Sequence, residues 1–305
     1  MKLIVHGQQA FGKSVLEALL ERDEDIVGVY CEPDKEGRSE DPIKTFAQEK
    51  GLPVFQPKSY RNSEVEQQMA ALNADLCVMA FVTLFVPEEV LNIPTHGSIQ
   101  YHPSLLPLHR GGSSINWPII WGEKKSGLSI FWPDNGLDEG PILLQKEIDV
   151  TDDDTLGSLY FKQLFPMGVE AMLEAVDLVR DGKAPKIDQD HSKATYEGWC
   201  RGDLSRINWH MPTQTTWNLI RGCNPAPGAW TTWEDGKVFL FDAKKIPDAK
   251  SVQPGQVVDV TDAGIAVATS EGQILIERLR ADKGKKMPAA EWAAQVGLKP
   301  GKRFK

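Results

Sequence analysis

Residues 4–16 read IVHGQQAFGKSVL, an apolar run, a glycine turn and the start of a helical pattern carried by Val15, Leu16, Leu19 and Leu20. Strand, tight turn and helix in that order open a doubly wound α/β domain. The same letters admit a second reading. Gly7-Gln8-Gln9-Ala10-Phe11-Gly12-Lys13-Ser14 spells G-x-x-x-x-G-K-[ST], the phosphate-cradling loop of ATPases and GTPases. A working loop of that kind also needs an aspartate for Mg²⁺ at the tip of another apolar strand. The nearest offer is Asp134, behind Pro133.

Outward from this stretch, short apolar runs alternate with helical patterns. Strands are predicted at Lys2–His6, Asp25–Tyr30, Leu76–Phe81, Gly97–Tyr101, Gly127–Phe131 and Ile142–Val150. Helices are predicted at Lys13–Arg22, Ile43–Lys50, Ser63–Leu72 and Ser114–Trp121, with one long amphipathic helix over Thr155–Asp181. That order implies a mostly parallel sheet with helices on both faces and function at the strands' carboxyl ends. Residues 1–182 read as this domain and 183–206 as a polar linker. Residues 207–305 read as a second domain of closely spaced strands, a small barrel or sandwich. Its strands are predicted at Ala229–Thr232, Val238–Ala243, Gly255–Val260, Ile265–Ala268 and Gln273–Arg280.

At 41% hydrophobic and 25% charged, the 305 residues read as an ordinary globular protein. No apolar run is long enough to span a bilayer, and the N-terminus lacks a signal-peptide shape. The scattered Cys31, Cys77, Cys200 and Cys223 point to reduced thiols and a cytoplasmic setting. Net charge is −9, but from Arg278 onward nine Lys/Arg face only Asp282 and Glu291, a local +7 that leaves −16 on the preceding residues. The acidic bulk argues against broad nucleic-acid binding; the basic end could receive a phosphate-bearing partner.

Two polar clusters stand where strands end. Gly97–Gly112, GSIQYHPSLLPLHRGG, leaves a predicted buried strand and presents His102, Ser104, His109 and Arg110. Trp132–Gly140, WPDNGLDEG, closes the next strand with Asp134, Asp138 and Glu139. From adjacent strands, His102 and Asp138 form a candidate acid–base pair. No metal-ligand spacing is present.

These stretches, Tyr101–Pro107 with Arg110-Gly111 and then Gly136–Ile142, resemble the 10-formyltetrahydrofolate-dependent formyltransferase family. The likeness continues through Lys124–Trp132, Leu143–Glu147, Ala194–Gly198, Ile207–Trp209, Ile220–Gly222 and Pro227–Thr231, covering essentially the whole chain. Within the family it is most similar to the hydrolase domain of 10-formyltetrahydrofolate dehydrogenase, without that enzyme's aldehyde-dehydrogenase portion, so no NAD(P)-linked step is expected. The resemblance implies a Rossmann-like catalytic domain and a small OB-like C-terminal barrel. It implies 10-formyltetrahydrofolate as cosubstrate, no metal, His102 and Asp138 as catalytic residues, and Gln100 beside them. It implies a folate slot lined by Phe81, Thr83, Leu84 and Phe85 with Asp134 and Asn135, largely through backbone groups. The turn Ser104-Leu105-Leu106-Pro107 would shape the slot's wall.

Transferases of this family usually place asparagine two residues before the histidine; this chain has Gln100, whose amide is one methylene further out. The acceptor is open between water and a small amine. A methionyl-tRNA formyltransferase is the alternative, opposed by the acidic loop Cys31–Lys44, where Glu32, Asp34, Glu36, Glu40 and Asp41 face Lys35, Arg38 and Lys44. A P-loop NTPase or a non-enzymatic binding module is the distant alternative. The family's first turn needs no lysine or serine after Gly12, so the phosphate-loop spelling is expected to be coincidental.

Overall fold

A computed structural model of the chain describes residues 1–246 and 252–305. In chain order its first elements are β1 (Lys2–Gly7), α1 (Gln9–Glu21), β2 (Asp25–Tyr30), α2 (Pro42–Glu49), β3 (Val54–Phe55), α3 (Ser63–Ala71) and β4 (Leu76–Ala80). Then come α4 (Glu88–Leu91), β5 (Ser98–His102), α5 (Asn116–Trp121), β6 (Lys125–Phe131), β7 (Ile142–Asp149), α6 (Leu156–Leu159) and α7 (Phe165–Arg180). Seven strands make one sheet in the order β3-β2-β1-β4-β5-β6-β7. β1 pairs parallel with β2 and β4, β4 pairs parallel with β5, and β6 runs antiparallel to β5. The strand order reverses between β1 and β4, the position where doubly wound sheets open a crevice at their carboxyl ends. Leu3, Ile4 and Val5 of β1 and Leu76 and Val78 of β4 are 0% exposed. Each such side chain contributes roughly 1.5–3 kcal/mol on burial.

The phosphate-loop spelling fails for a geometric reason. α1 starts at Gln9, not at the Lys13 predicted from periodicity, so only Gln8 separates strand from helix and no loop is left to wrap a phosphate. The first helical N–H, on Gln9, already donates to Asp41 Oδ1 at 2.7 Å. The Lys13 ammonium sits 5.2 Å from the centre of the Phe46 ring instead. Gly7 is required for closeness: a Cβ there would meet the Ala80 carbonyl at 2.5 Å.

The single helix predicted over Thr155–Asp181 is interrupted. Tyr160–Leu164 take π-helical spacing between α6 and α7. Pro166 has no N–H to donate to Lys162 four residues earlier, so the regular ladder cannot run through.

The described residues form two compact units: Met1–Gly111, Gly127–Ile148 and Lys162–Tyr196 in one, and Gly112–Ser126, Asp149–Phe161 and Glu197–Lys305 in the other. The stretch 183–206 divides between them at Tyr196. The second unit holds α8 (Thr213–Gly222), β8 (Ala229–Trp233), β9 (Gly236–Leu240), β10 (Ala243–Ile246), β11 (Val257–Thr261), β12 (Gly264–Ala268), β13 (Gln273–Ile276), β14 (Arg278–Ala281), β15 (Met287–Pro288) and α9 (Ala289–Val296). Two four-stranded antiparallel sheets result, β10-β13-β12-β11 and β15-β14-β9-β8. The runs Val238–Ala243 and Gln273–Arg280, each predicted as one strand, both break where the chain passes from sheet to sheet. The Asp242 carbonyl accepts from the Glu277 and Arg278 N–H groups at 2.8 and 3.1 Å, so both breaks turn one shared corner. Ile207, Trp209, Val238, Leu240, Ile265 and Trp292 share the core of this unit. No helix among the described residues is long and apolar enough to cross a membrane.

Candidate active site

The site grows from the tip of β5. The sequence reading ends this strand at Tyr101, but the ladder runs one residue further and pairs His102 with Ser129 of β6. Gln100 and His102 alternate onto one face of the strand, and His102 is 5% exposed. Its Nε2 lies 2.9 Å from the His109 carbonyl oxygen. A carbonyl only accepts, so Nε2 carries a proton and donates it. Nδ1 is therefore the nitrogen facing Asp138, whose Oδ2 is 3.5 Å away. That oxygen also accepts from the Gly111 N–H at 2.8 Å. With Nε2–H committed, Nδ1 and a carboxylate oxygen would oppose one another as two acceptors unless one proton lies between them. Such an arrangement can hold a single proton between its two groups, as acid–base catalysis requires.

Both anchoring segments are bent into the left-handed region, with φ +55° at His109 and at Asp138. Such a conformation costs roughly 1–2 kcal/mol for a residue with a Cβ, so tertiary contacts must hold it. The His109 carbonyl and the Gly111 N–H were invisible to sequence reasoning, because every residue carries these groups.

Pairing sets Met79 of β4 opposite Gln100, so Phe81 leaves its strand beside His102. Phe81 has φ +65° and is 37% exposed. Among the described residues, the peptide groups of Val82–Phe85 take no backbone hydrogen bond. The Thr83 hydroxyl donates to Glu32 Oε1 at 2.6 Å and accepts from Gln8 Nε2 at 3.4 Å. Leu84 packs on the cluster of Tyr30, Tyr60 and Met79. Phe85 is exposed beneath the Arg61 guanidinium, 4.9 Å from its ring centre.

Asn135 joins this loop: its Oδ1 accepts from the Glu88 N–H at 3.2 Å and its Nδ2 donates to Glu88 Oε2 at 3.0 Å. Asp134 turns inward on its own loop and accepts from the Gly136 N–H at 2.8 Å. Ser104 and Leu106 are buried. The Ser129 hydroxyl donates to the Ser104 carbonyl at 2.7 Å and accepts from the Leu106 N–H at 3.1 Å. Leu106 packs with Phe131 and Ile142, while Leu105 lies against Gly127. Pro107 follows Leu106 through a cis peptide. The structure thus sets His102 against Asp138, with Gln100 on the same face of β5, brings Phe85 and Asn135 to one cavity, and ties Ser104–Pro107 to β6.

A cavity of about 550 Å³ is bounded by Arg61, Glu66, Phe85, Pro87, Glu89 and Asn135. Another, of about 540 Å³, lies against Ser98 at the start of β5, the opposite end from His102, and of the predicted residues it contains only Asp134. In the Cys31–Lys44 loop, Lys44 pairs with Asp34 and Glu40 at 2.5 and 2.6 Å, and Lys35 with Glu32 at 2.5 Å. Hydrogen bonds from Lys35 and Thr83 hold the Glu32 carboxyl below the usual carboxylate range. Among the described residues, no three His, Cys, Asp or Glu side chains group as a metal would require.

Comparison with known proteins identifies the family. Residues 1–176 match the formyl transferase family and residues 202–297 match the formyl transferase C-terminal domain. Mitochondrial 10-formyltetrahydrofolate dehydrogenase of Mus musculus is 41% identical over 307 residues, covering 96% of this chain. The chain spans about a third (33%) of that relative's length. Methionyl-tRNA formyltransferase of Desulforamulus reducens is 33% identical over 308 residues, covering 99% of this chain and 96% of that one. Among solved structures, HypX from Aquifex aeolicus in complex with tetrahydrofolic acid superposes with a TM-score of 0.70 at 19% identity. It covers 98% of this chain and 48% of that one, a likeness of fold.

Proposed function

Since the chain belongs to the formyl transferase family, we propose that it takes the formyl group of 10-formyltetrahydrofolate and passes it to water or to a small amine. One observation carries the proposal: His102 Nδ1 faces Asp138 Oδ2 at 3.5 Å while Nε2 is tied to a carbonyl. The folate would supply an activated carbonyl carbon. The exposed faces of Phe81 and Phe85 suit a flat donor, and the uncommitted peptide groups of Val82–Phe85 suit its polar edge. His102 and Asp138 then manage the protons. The attacking water or amine must lose one, and the pair has a place for it between Nδ1 and Oδ2. When protonated at both nitrogens, His102 carries positive charge that favours developing negative charge on oxygen, and Asp138 balances the imidazolium. Gln100, on the same strand face, is a second amide donor.

A tRNA acceptor is the weaker reading. Lys35 and Lys44 are consumed by Glu32, Asp34 and Glu40, so the loop offers a phosphate backbone little free positive charge. The four free, buried cysteines suit a cytoplasmic enzyme. Incubation of the purified protein with 10-formyltetrahydrofolate, with and without candidate amines, tests the proposal. Release of tetrahydrofolate with formate or a formylated amine is expected; absence of both turnover and folate binding ends it.

A further inference from the structure

We infer that Arg110, working through Gln189, is the positioning residue of the His102–Asp138 pair, an inference that rests on the acid–base reading above. Arg110 is 1% exposed, and a buried guanidinium must find partners for its donors. Its Nε and Nη2 donate to Gln189 Oε1 at 3.2 and 2.7 Å. Nη1 donates to the Tyr196 hydroxyl at 2.5 Å, which donates onward to Glu139 Oε1 at 2.6 Å. Glu139 Oε1 stands 3.8 Å from Nη1, and His191 Nδ1 lies 3.4 Å from both terminal nitrogens.

Gln189 faces two ways. While its oxygen takes the arginine, its Nε2 donates to the carbonyls of Asp138 and Gly140 at 2.9 and 2.7 Å. One buried amide thus staples the loop that carries Asp138, and Arg110 orients that amide. The chain neighbours of Arg110 supply the other two anchors. On one side the His109 carbonyl receives the Nε2–H of His102; on the other the Gly111 N–H donates to Asp138 Oδ2. Three consecutive residues therefore set imidazole, carboxylate and loop against one another. A shift of the Arg110 backbone would move both halves of the pair.

Gln189→Glu is the discriminating variant. Glutamate keeps an acceptor for the buried arginine but has no N–H for the two carbonyls, so the staple opens while Arg110 stays paired. Histidine ¹⁵N NMR reads the result directly at His102. The Nε2–H signature is expected to weaken as the loop that carries Asp138 shifts. Turnover is expected to fall about 10- to 100-fold with KM for the folate nearly unchanged, as small displacements of catalytic groups do. Gln189→Asn keeps the amide but shortens its reach by a methylene; it is read in the same way and decides the matter if Gln189→Glu does not fold. His102 resonances superimposing on wild type in a folded variant overturn the inference. A wild type that turns over no folate ends the functional reading instead, and the His102 spectra still decide this one.

Discussion

Replacing Asp138 by asparagine separates proton handling from shape. Asparagine has the same outline and tolerates the φ of +55° found at this position. Its Oδ1 can accept the Gly111 N–H that the carboxylate now takes at 2.8 Å. That bond changes from charge-assisted to neutral, a loss of about 1 kcal/mol. What disappears is the capacity for a proton. Because that same oxygen faces His102 Nδ1 across the 3.5 Å gap, an amide oxygen in its place keeps the Gly111 bond but can neither take up nor return a proton. Loss of one positioned acid–base group removes a factor of roughly 10²–10⁴ in rate, or about 3–5 kcal/mol of transition-state stabilisation. Steady-state release of tetrahydrofolate at saturating donor should show kcat reduced by that factor. KM should stay within about twofold, because the group acts in the transition state and not in ground-state binding. Urea unfolding should show no more than about 1 kcal/mol of lost stability. A folded variant with kcat within about threefold of wild type refutes the reasoning, since no general acid–base group is worth so little.

Other expectations concern the frame of the site. Burial lowers the pKa of His6 from 6.5 to about 3, beside the Tyr60 hydroxyl at 2.8 Å. The unfolded chain binds this proton and the folded one refuses it, so stability is intact above pH 6.5 and falls by about 1.4 kcal/mol per pH unit from there toward pH 3. Urea unfolding of His6→Gln between pH 7.5 and 4.5 should be flatter than wild type by that slope, and parallel curves would contradict it. Gly7→Ala sets a Cβ 2.5 Å from the Ala80 carbonyl and should destabilise by about 1–3 kcal/mol; a loss too small to measure would mean β1 and β4 do not approach so closely. Gln100→Asn draws the amide back by one methylene. It should raise amine formylation relative to hydrolysis by at least about tenfold, given that one oxyanion donor is worth roughly 10²–10³. An unchanged product ratio by chromatography would show that donor placement at this position does not limit the enzyme.

Element type was legible wherever near neighbours decide it. Continuous apolar runs marked β1 and β4, 3.6-residue periodicity marked α1 and α7, and the Asp/Gly-rich turn marked the loop of Asp138. Prediction stumbled where one residue overrules a pattern, as Pro166 does within the long helix, or where hydrogen bonding across the fold redirects a strand, as the Asp242 carbonyl does at the corner. Gln189 gave no local signal. A glutamine in a turn-rich segment resembles any solvated one until the loop it staples is folded over it.

The opening stretch shows where the dividing line falls. IVHGQQAFGKSVL specified strand, turn and helix, because steric preference and apolar spacing act over a few residues. Whether that turn cradles a phosphate depended on Asp41, whose carboxylate arrives from a later loop to occupy the first N–H of α1. His102 and Asp138 could likewise be nominated from polar residues at strand tips. The way Nδ1 is turned to the Asp138 carboxyl could not, because it follows from a carbonyl at His109 and an N–H at Gly111. Backbone groups are chemically identical at nearly every position, so their roles arise from where the chain brings them and not from which residue bears them.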